Sequence, residues 1–492
     1  MAKPPAVSTT GSEADSISVP FPKAAGGLPL LGHLVPMLRN PLKFLAGLPP
    51  QGDVVQVRLG PLRALVVCEP ALTSHVLRND KIFDKGGPIF DLGRKVVGDA
   101  LLTCPHSGHR RQRRMLQPAF LAPRLPGYAE ATTARAADAT ASWRDGQILD
   151  VLAETQALTA KITLDTMFSA TAPPQVLTEA LSDLNTIIKA LSVQMATPPL
   201  LARLPTPGNR RYQQAWVRLR RNLRHLVTDR RAAGIDHGDL LSMLLTAHDA
   251  ESGPAQQTLT DTEIIDQIVT FFLGATETSA SSLASALHML GQHPEIERRL
   301  HAEVDAVLDG RPATHADLPR LELTGRVVTE TLRLWPPIWG ATRVCTADTQ
   351  LGRHPVPAGT TILYSPYLIQ RRADLYPDPE RFDPDRWTAN APQPPRREAF
   401  LPFGGGARKC IGDRFATASA TLALATITNR WRLQPLPDLR VRPSIDGPAL
   451  TPRGLKLRAT TRTTTPAGPL PPQGEEKPSN PSEQRLCPEP ER

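Results

Sequence analysis

Phe403-Gly404-Gly405-Gly406-Ala407-Arg408-Lys409-Cys410-Ile411-Gly412 sets one cysteine in a glycine-rich loop, two residues after an arginine. Three consecutive glycines let the backbone turn tightly and approach another surface with no Cβ in the way. Amide N–H groups can then aim at the sulfur and temper its charge. Arg408 is a donor shaped for a carboxylate, and Gly412 lets the following helix begin close by. A lone cysteine in a turn is usually a small buried hydrophobe. The spacing here reads instead as a thiolate that ligates a metal through one sulfur, with a large flat cofactor pressed against it.

Outward from that loop, the strongest helix signal runs from about Thr260 to Gln292. Leu259-Thr260-Asp261-Thr262-Glu263 supplies cap-type residues and early negative charge. Ile264, Ile265, Ile268, Val269, Phe271, Phe272 and Leu273 make the next turns apolar nearly all round, and His293-Pro294 stops them. A rod of about 50 Å, buried and crossing the domain, is predicted. In its middle, Gly274-Ala275-Thr276-Glu277-Thr278-Ser279 breaks the apolar run with small and polar side chains. Such a gap is either room for helix packing or a slot where a hydroxyl and a carboxyl hold water or a diatomic molecule. Glu330-Thr331-Leu332-Arg333 puts an acid and a base on one helical face among apolar neighbours. Burial there demands a further partner. Upstream, Gly108-His109-Arg110-Arg111-Gln112-Arg113-Arg114 opens a basic helix. His109 and Arg113 share a face and can clamp one anionic group; a solvated basic face is the alternative.

A chain of 492 residues can bury a large core. Cys68, Cys104, Cys345, Cys410 and Cys487 are odd in number and scattered, which argues against a disulfide framework and for a reducing, cytoplasmic setting. No stretch nears the ~20 apolar residues of a membrane span. The net charge of +9 would suit nucleic acid, but the arginines are spread along helices without a recognition motif. A basic face for an acidic protein partner is weighed against solvated helix surface. A disordered leader is expected over 1–25, one functional unit over 26–462 and a disordered, proline-rich tail over 463–492. Asp53 to Leu59 and Ala64 to Cys68 read as a hairpin. Residues 71–334 read as mostly helical, and 343–363 as strands turning at Pro355-Val356-Pro357-Ala358-Gly359. Leu204-Pro205-Thr206-Pro207-Gly208-Asn209-Arg210-Arg211 reads as the hinge of a lid.

The cysteine loop resembles the heme-ligand loop of the cytochrome P450 family, Phe-x-x-Gly-x-Arg-x-Cys-x-Gly, at every defined position. Gly274 to Thr278 resembles that family's oxygen-activation motif, with Ala275 where glycine is common, and Glu330 with Arg333 resembles its Glu-x-x-Arg pair. The resemblance covers about residues 25–460 and implies a mostly α fold with small β-sheets (α+β), one large helical domain with a minor β-rich region. It implies heme b (iron protoporphyrin IX) ligated by Cys410, with Arg408, His109, Arg113 and Arg343 at the propionates and Phe403, Gly404 and Gly412 shaping the loop. Thr278 would donate to bound dioxygen and Glu277 would deliver protons. Arg386, in Pro384-Asp385-Arg386-Trp387, is preferred to Arg381 as the third member of a structural triad with Glu330 and Arg333. The implied reaction inserts one oxygen atom from O2 into a C–H bond of a lipophilic substrate. Electrons would come from a separate ferredoxin or flavodoxin with its reductase, docking over Arg110, Arg111, Arg114 and Lys409, and the protein would be a monomer. By position, Phe90, Val269, Phe272, Gly274, Ala275, Ile338, Trp339 and Ala341 are candidates for the distal pocket. A cyclic terpene is the first choice of substrate, then a polyketide or fatty acid. A peroxide-driven oxygenase and a non-catalytic heme sensor are the rivals.

Overall fold

Thr260 and Glu263 cap the longest helix reciprocally: the Glu263 N–H donates to Thr260 Oγ1 at 3.2 Å, and the Thr260 N–H donates to the Glu263 carboxylate at 2.8 Å. Two of the four orphan donors of the first turn are thereby satisfied, and the helix then runs for 32 residues. The computed structural model of the chain describes residues 21–168, 174–196, 206–253, 257–445 and 449–462. The helices among them begin with α1 (Leu34–Arg39), α2 (Pro41–Ala46), α3 (Pro70–Arg78), α4 (Pro88–Val97), α5 (His106–Leu116), α6 (Leu125–Ala141) and α7 (Val151–Phe168). They continue with α8 (Pro174–Ala196), α9 (Pro207–Ala233), α10 (Leu240–Thr246), α11 (Asp261–Gln292), α12 (Pro294–Leu308), α13 (Glu322–Leu334), α14 (Pro366–Ile369) and α15 (Asp413–Arg430). The strands are β1 (Val54–Leu59), β2 (Leu62–Val67), β3 (Phe83–Asp84), β4 (Ile148–Asp150), β5 (Ala341–Cys345), β6 (Thr349–Leu351), β7 (His354–Val356), β8 (Thr361–Tyr364), β9 (Trp431–Pro435), β10 (Arg442–Ser444), β11 (Thr451–Arg453) and β12 (Lys456–Thr461). A mostly helical fold with small sheets is what the chain adopts.

The largest sheet has the order β1-β2-β8-β5-β3. Its β1–β2 hairpin pairs Val54 with Val67 and Leu59 with Leu62, and β8 joins β2 in parallel. The short pairing of β3 with β5 brings Asp84 opposite Val344. A second sheet runs β4-β12-β9, and two small hairpins complete the set.

Helix α11 crosses the helical body and packs against α7, α9, α13 and α15. Its first turns send Ile264, Ile265 and Ile268 into a cluster with Leu219 and Leu223 of α9. Its last turns send Leu283, Ala284 and Leu287 into a cluster with Val327 and Leu332 of α13 and Leu422 and Ile427 of α15. Each fully buried aliphatic contributes about 1.5–3 kcal/mol relative to exposure, so both ends are anchored. No helix among the described residues is long and apolar enough to cross a membrane.

Three sequence expectations shift. Phe21 to Ala25, assigned to the leader, already belong to the fold: Lys23 bridges to Gln56, and the Ala24 N–H donates to the Gln56 carbonyl at 2.9 Å. The rest of that leader, 1–20, and the tail, 463–492, lie outside the described residues. Pro355 and Val356 are strand β7, and the turn is confined to Pro357–Thr360, closed by the Thr360 N–H on the Pro357 carbonyl. Proline is tolerated there because β7 pairs only with β6. Pro207 to Arg211 form the first turn of α9 rather than a hinge, because Thr206 caps the helix and Pro207 has the φ a first helical position needs. Leu204 and Pro205 lie outside the described residues.

Candidate functional site

Gly404 (φ 68°) and Gly406 (φ 65°) both adopt the left-handed backbone that their sequence anticipates. At Gly406 there is also no room: a Cβ would stand 2.1 Å from the Leu77 carbonyl oxygen at the end of α3. The loop folds back so that the Cys410 N–H donates to the Phe403 carbonyl at 2.9 Å and the Lys409 N–H to the Gly406 carbonyl at 3.1 Å. Gly412 is the N-cap of α15, and its amide donates to the Cys410 sulfur. Of the four described cysteines, all free, Cys410 alone is exposed. Protein nonetheless crowds it, and burial pushes its thiol up from the ordinary value. An exposed side chain that protein crowds in this way sits in a concave surface rather than on a flat one.

Next to Cys410, the loop meets α11 through apolar packing. Ile411, Phe120, Phe271 and Leu273 pack on one apolar cluster. The Phe120 ring lies 5.4 Å from Phe271, and the edge of the same ring is 3.6 Å from where a Gly412 Cβ would sit. Gly274 is exposed in the middle of an otherwise buried helix, with Ala275 and Thr278 half-buried beside it. Phe271, Gly274, Ala275 and Thr278 recur at helical spacing and so share the open face. Thr278 Oγ1 donates to the Gly274 carbonyl at 2.6 Å. Glu277 points elsewhere: its carboxylate accepts from Gln156 Nε2 of α7 at 3.2 and 3.4 Å, and burial raises its proton affinity.

At the rim, Lys85, His109, Arg343 and Arg408 converge. His109 is buried on α5, and burial first, then Arg408 and Lys85, push its pKa down to about 3. Burial, then Arg343 and Arg408, push Lys85 down to about 7. Arg343 of β5 is buried over the Tyr364 ring at 5.3 Å, and its Nε finds no partner among the described residues. Arg408 is held by Asp80 at 3.0 Å, Asp84 at 2.8 Å and the Cys104 carbonyl at 2.9 Å. Lys85 beside Arg343 and Arg408, with an unpartnered guanidinium nitrogen among them, fits a dianionic edge such as two propionates. The residues present therefore fit heme b: an exposed sulfur in a tight glycine loop, a cluster of cations with an unpartnered guanidinium nitrogen, and an open helical face of small side chains.

Not every sequence candidate sits there in the expected way. Arg113, expected beside His109 at a propionate, donates Nε to Gln117 at 2.8 Å and Nη1 to the Lys409 carbonyl at 2.6 Å, pinning the cysteine loop. Phe272 and Val269 are buried in the core cluster, since helical phase turns them from the open face; Phe271 takes that place. Phe90 lies under the Lys85 ammonium at 5.6 Å. Trp339 and Ala341 are half-buried, and Ile338 is 38% exposed. The expected basic face around Cys410 is compensated. Arg111 meets Glu263 at 2.6 Å, Arg114 meets Asp249 at 2.7 Å and Glu251 at 2.9 Å, Arg110 meets Glu251 at 3.6 Å, and Lys409 meets Asp413. An open groove of about 680 Å³ runs among these arginines and acids. Lys85 was missed, because the two-residue strand that carries the chain past Arg343 leaves no periodic signal.

Glu330 and Arg333 have no solvent exposure and pair at 2.7 Å. Arg386 joins them, its Nε 3.3 Å from Glu330, whereas Arg381 offers only its carbonyl, to Arg333 at 3.1 Å.

Comparison with known proteins agrees with this geometry. The chain is 46% identical over 415 residues to cyclooctat-9-en-7-ol 5-monooxygenase of Streptomyces melanosporofaciens, covering 84% of this chain and 90% of that one. It is 42% identical over 440 residues to pentalenene oxygenase of Streptomyces avermitilis, covering 89% and 97%. A crystal structure of the cytochrome P450DA heme domain superposes with a TM-score of 0.82 at 25% identity, covering 91% of this chain and 99% of that one. The family model described as cytochrome P450 matches residues 22–459. With a cysteine loop, an open helical face, a cationic cluster and a family match over nearly its whole length, the chain belongs to the cytochrome P450 family, the heme-dependent oxidoreductases that incorporate oxygen.

Proposed function

We propose that this chain hydroxylates a C–H bond of a cyclic terpene, taking electrons from a separate ferredoxin or flavodoxin with its reductase. The observation that carries the substrate class is near-full-length identity of 42–46% to two oxygenases named for cyclic terpenes. Cys410 would hold the iron of heme b, with Phe403, Gly404 and Gly412 shaping its loop. Lys85, His109, Arg343 and Arg408 would face the propionates, and Arg113 would steady the loop from α5. The bound heme supplies activation of dioxygen; the protein binds, orients and delivers protons. Thr278, on the open face, would donate a hydrogen bond to the ligand, and Glu277 would feed protons to it. Gly274 and Ala275 leave the room, while Phe271 and Phe90 favour an apolar guest. The donor would dock on the cysteine-loop side, over a surface of paired rather than bare cations, so orientation would depend on shape as much as on charge. A monomer in the cytoplasm, where thiols stay reduced, suits the four free cysteines among the described residues.

Two measurements test this. The reduced protein with carbon monoxide should show the strongly red-shifted Soret band of a thiolate ligand, and the Cys410→His variant should lose that shift. With a ferredoxin, its reductase and NADPH, pentalenene or cyclooctat-9-en-7-ol should yield a product one oxygen heavier. An unshifted band in the parent protein would remove Cys410 as ligand. Turnover of fatty acids but neither terpene would overturn the substrate class.

A further inference from the structure

The first turn of α5 carries no acidic residue, although the amides at a helix start favour negative charge. Two carboxylates from outside the helix supply it. The His106 N–H donates to Asp84 Oδ2 at 2.7 Å, and His106 Nδ1 stands 3.1 Å from Asp80 Oδ2. Arg408 uses the same two acids. Its Nε donates to that same Asp80 oxygen at 3.0 Å, and its Nη2 to Asp84 Oδ1 at 2.8 Å. The Arg408 side chain is 1% exposed, that of Asp80 10% and that of His106 44%. One carboxylate oxygen therefore joins an imidazole that reaches solvent to a guanidinium sealed within the cationic cluster.

We propose that His106 is a redox-linked proton site: it takes a proton from solvent as the heme gains an electron, and the change reaches the heme edge through Asp80 and Arg408. This rests on the reading that Arg408 faces a propionate and Cys410 holds the iron. The donor protein is oxidised by one electron, the heme is reduced by one, and the proton comes from water to an imidazole nitrogen. A charged His106 draws the shared Asp80 oxygen to itself. Arg408 is then less compensated and more positive toward the propionate, which favours the reduced, more negative state. A neutral His106 leaves Asp80 to Arg408 and favours the oxidised state. By reciprocity, reduction raises the proton affinity of His106 by the same factor.

The neighbouring charges leave room for this exchange. Burial acts to raise the Asp80 carboxyl, but hydrogen bonds from His106 and Arg408, and their charge, hold it below its ordinary value. Asp80 is thus ionised and shared. His109, one turn along α5, is pushed down to about 3 by burial first, then by Arg408 and Lys85, so it stays neutral across the range in which histidines usually titrate. Burial raises the Cys104 thiol, whose sulfur lies 3.8 Å from Arg408 Nη1, and keeps it protonated. Burial first, then Arg343 and Arg408, bring Lys85 to about 7, which makes it the rival to exclude. Further out, Arg110 meets Glu251, Arg113 is bound to Gln117 and the Lys409 carbonyl, and Lys409 meets Asp413. On α4, Arg94 meets Asp91 at 3.1 Å and Asp99 at 3.4 Å. At the end of α3, His75 Nδ1 lies 3.3 Å from the Asn79 amide, and Arg78 and Lys81 are exposed.

The test reads the potential, which a merely structural tie would not move. In the heme-loaded protein the reduction potential is measured from about pH 5 to about pH 9. A step is expected, higher at the acid end, reflecting on the order of a threefold difference in His106 proton affinity between the two oxidation states. At about 59 mV per tenfold change for one electron, this is a step of roughly 30 mV. His106→Asn keeps a neutral donor beside Asp80 and should give a flat profile at the parent's alkaline level. His106→Lys should instead be flat near the acid level, and Lys85→Met should keep the step. Opposite plateaus from two substitutions at one site are not produced by a loosened fold. A step of parental size in His106→Asn, or its loss in Lys85→Met, would overturn the proposal. The parent gives a second readout: the His106 imidazole signal, assigned by its absence in His106→Asn, is titrated by NMR in both oxidation states. Its midpoint should lie higher in the reduced protein, and equal midpoints would overturn the proposal without touching the heme reading. An unshifted Soret band with carbon monoxide in the parent would instead remove Cys410 as ligand, and this inference with it.

Discussion

Glu330 receives five hydrogen bonds without touching solvent: from Arg333 Nε at 2.8 Å and Nη2 at 2.7 Å, Arg386 Nε at 3.3 Å, Trp387 Nε1 at 2.9 Å and the Asp383 N–H at 3.0 Å. Arg333 in turn donates Nη1 to the Gln370 and Pro379 carbonyls at 2.9 and 2.6 Å. This one carboxylate ties α13 to the segment that leads to the cysteine loop. Removing it leaves a guanidinium buried at 0% exposure with no counter-charge, so Glu330→Ala is expected to cost about 3–5 kcal/mol. Urea unfolding of the variant measures this, and a loss below about 1 kcal/mol would mean that the pair is replaceable by its backbone acceptors. The acid–base pair was legible from spacing, and Arg386 from its place in the chain. The Trp387 contribution was not, because an indole donor aimed at a carboxylate leaves no mark in a sequence.

At the scale of an element, α11 reconciles stability with function by breaking its own pattern. Its ends were readable residue by residue: a capping box at Thr260 and Glu263, and Pro294 beyond the last turn. Its middle holds Gly274, where an added Cβ would meet nothing within 4 Å. By helix propensity alone, alanine there would be better by about 0.8–1 kcal/mol. Gly274→Ala is therefore expected to raise the thermal midpoint slightly while slowing carbon monoxide binding, because the methyl group projects into the open face. Calorimetry and flash photolysis check the two halves. A lowered midpoint would show that the position is crowded, and unchanged carbon monoxide kinetics would put it outside the ligand's path. Apolarity all round foretold burial of α11 but not its phase. Which of Phe271 and Phe272 faces the cleft depends on the neighbours that claim each side, and Phe120 claims Phe271.

Across the whole molecule, several histidines are held neutral in the packed helical body. His288 lies against Trp335 at 5.8 Å, edge to face, its Nδ1 buried without a partner among the described residues. His301 Nε2 is buried in the same way. Burial first pushes His288 down to about 4 and His301 down to about 3. In the unfolded chain both would titrate near their ordinary value of about 6.5. Below that pH the unfolded state binds more protons, so stability is complete above about pH 6.5 and falls as pH drops toward 4. Replacing both by glutamine should flatten the decline of the urea midpoint between pH 6.5 and 4, and an unchanged slope would assign the acid sensitivity to other groups.

The sequence by itself determined the family, the glycine-rich loop that carries Cys410, the long central helix and the Glu330–Arg333 pair, since each rests on local spacing that covalent geometry turns directly into shared faces and tight turns. Tertiary structure alone decided the rest. It gathered Lys85 with Arg343 through a two-residue strand pairing, and it paired the arginines around the cysteine loop with acids more than 100 residues away in Glu263, Asp249 and Glu251. It also turned Glu277 toward Gln156, 121 residues distant. Charges and amides find partners by proximity in space, and no period or motif along the chain encodes which distant side chain will arrive.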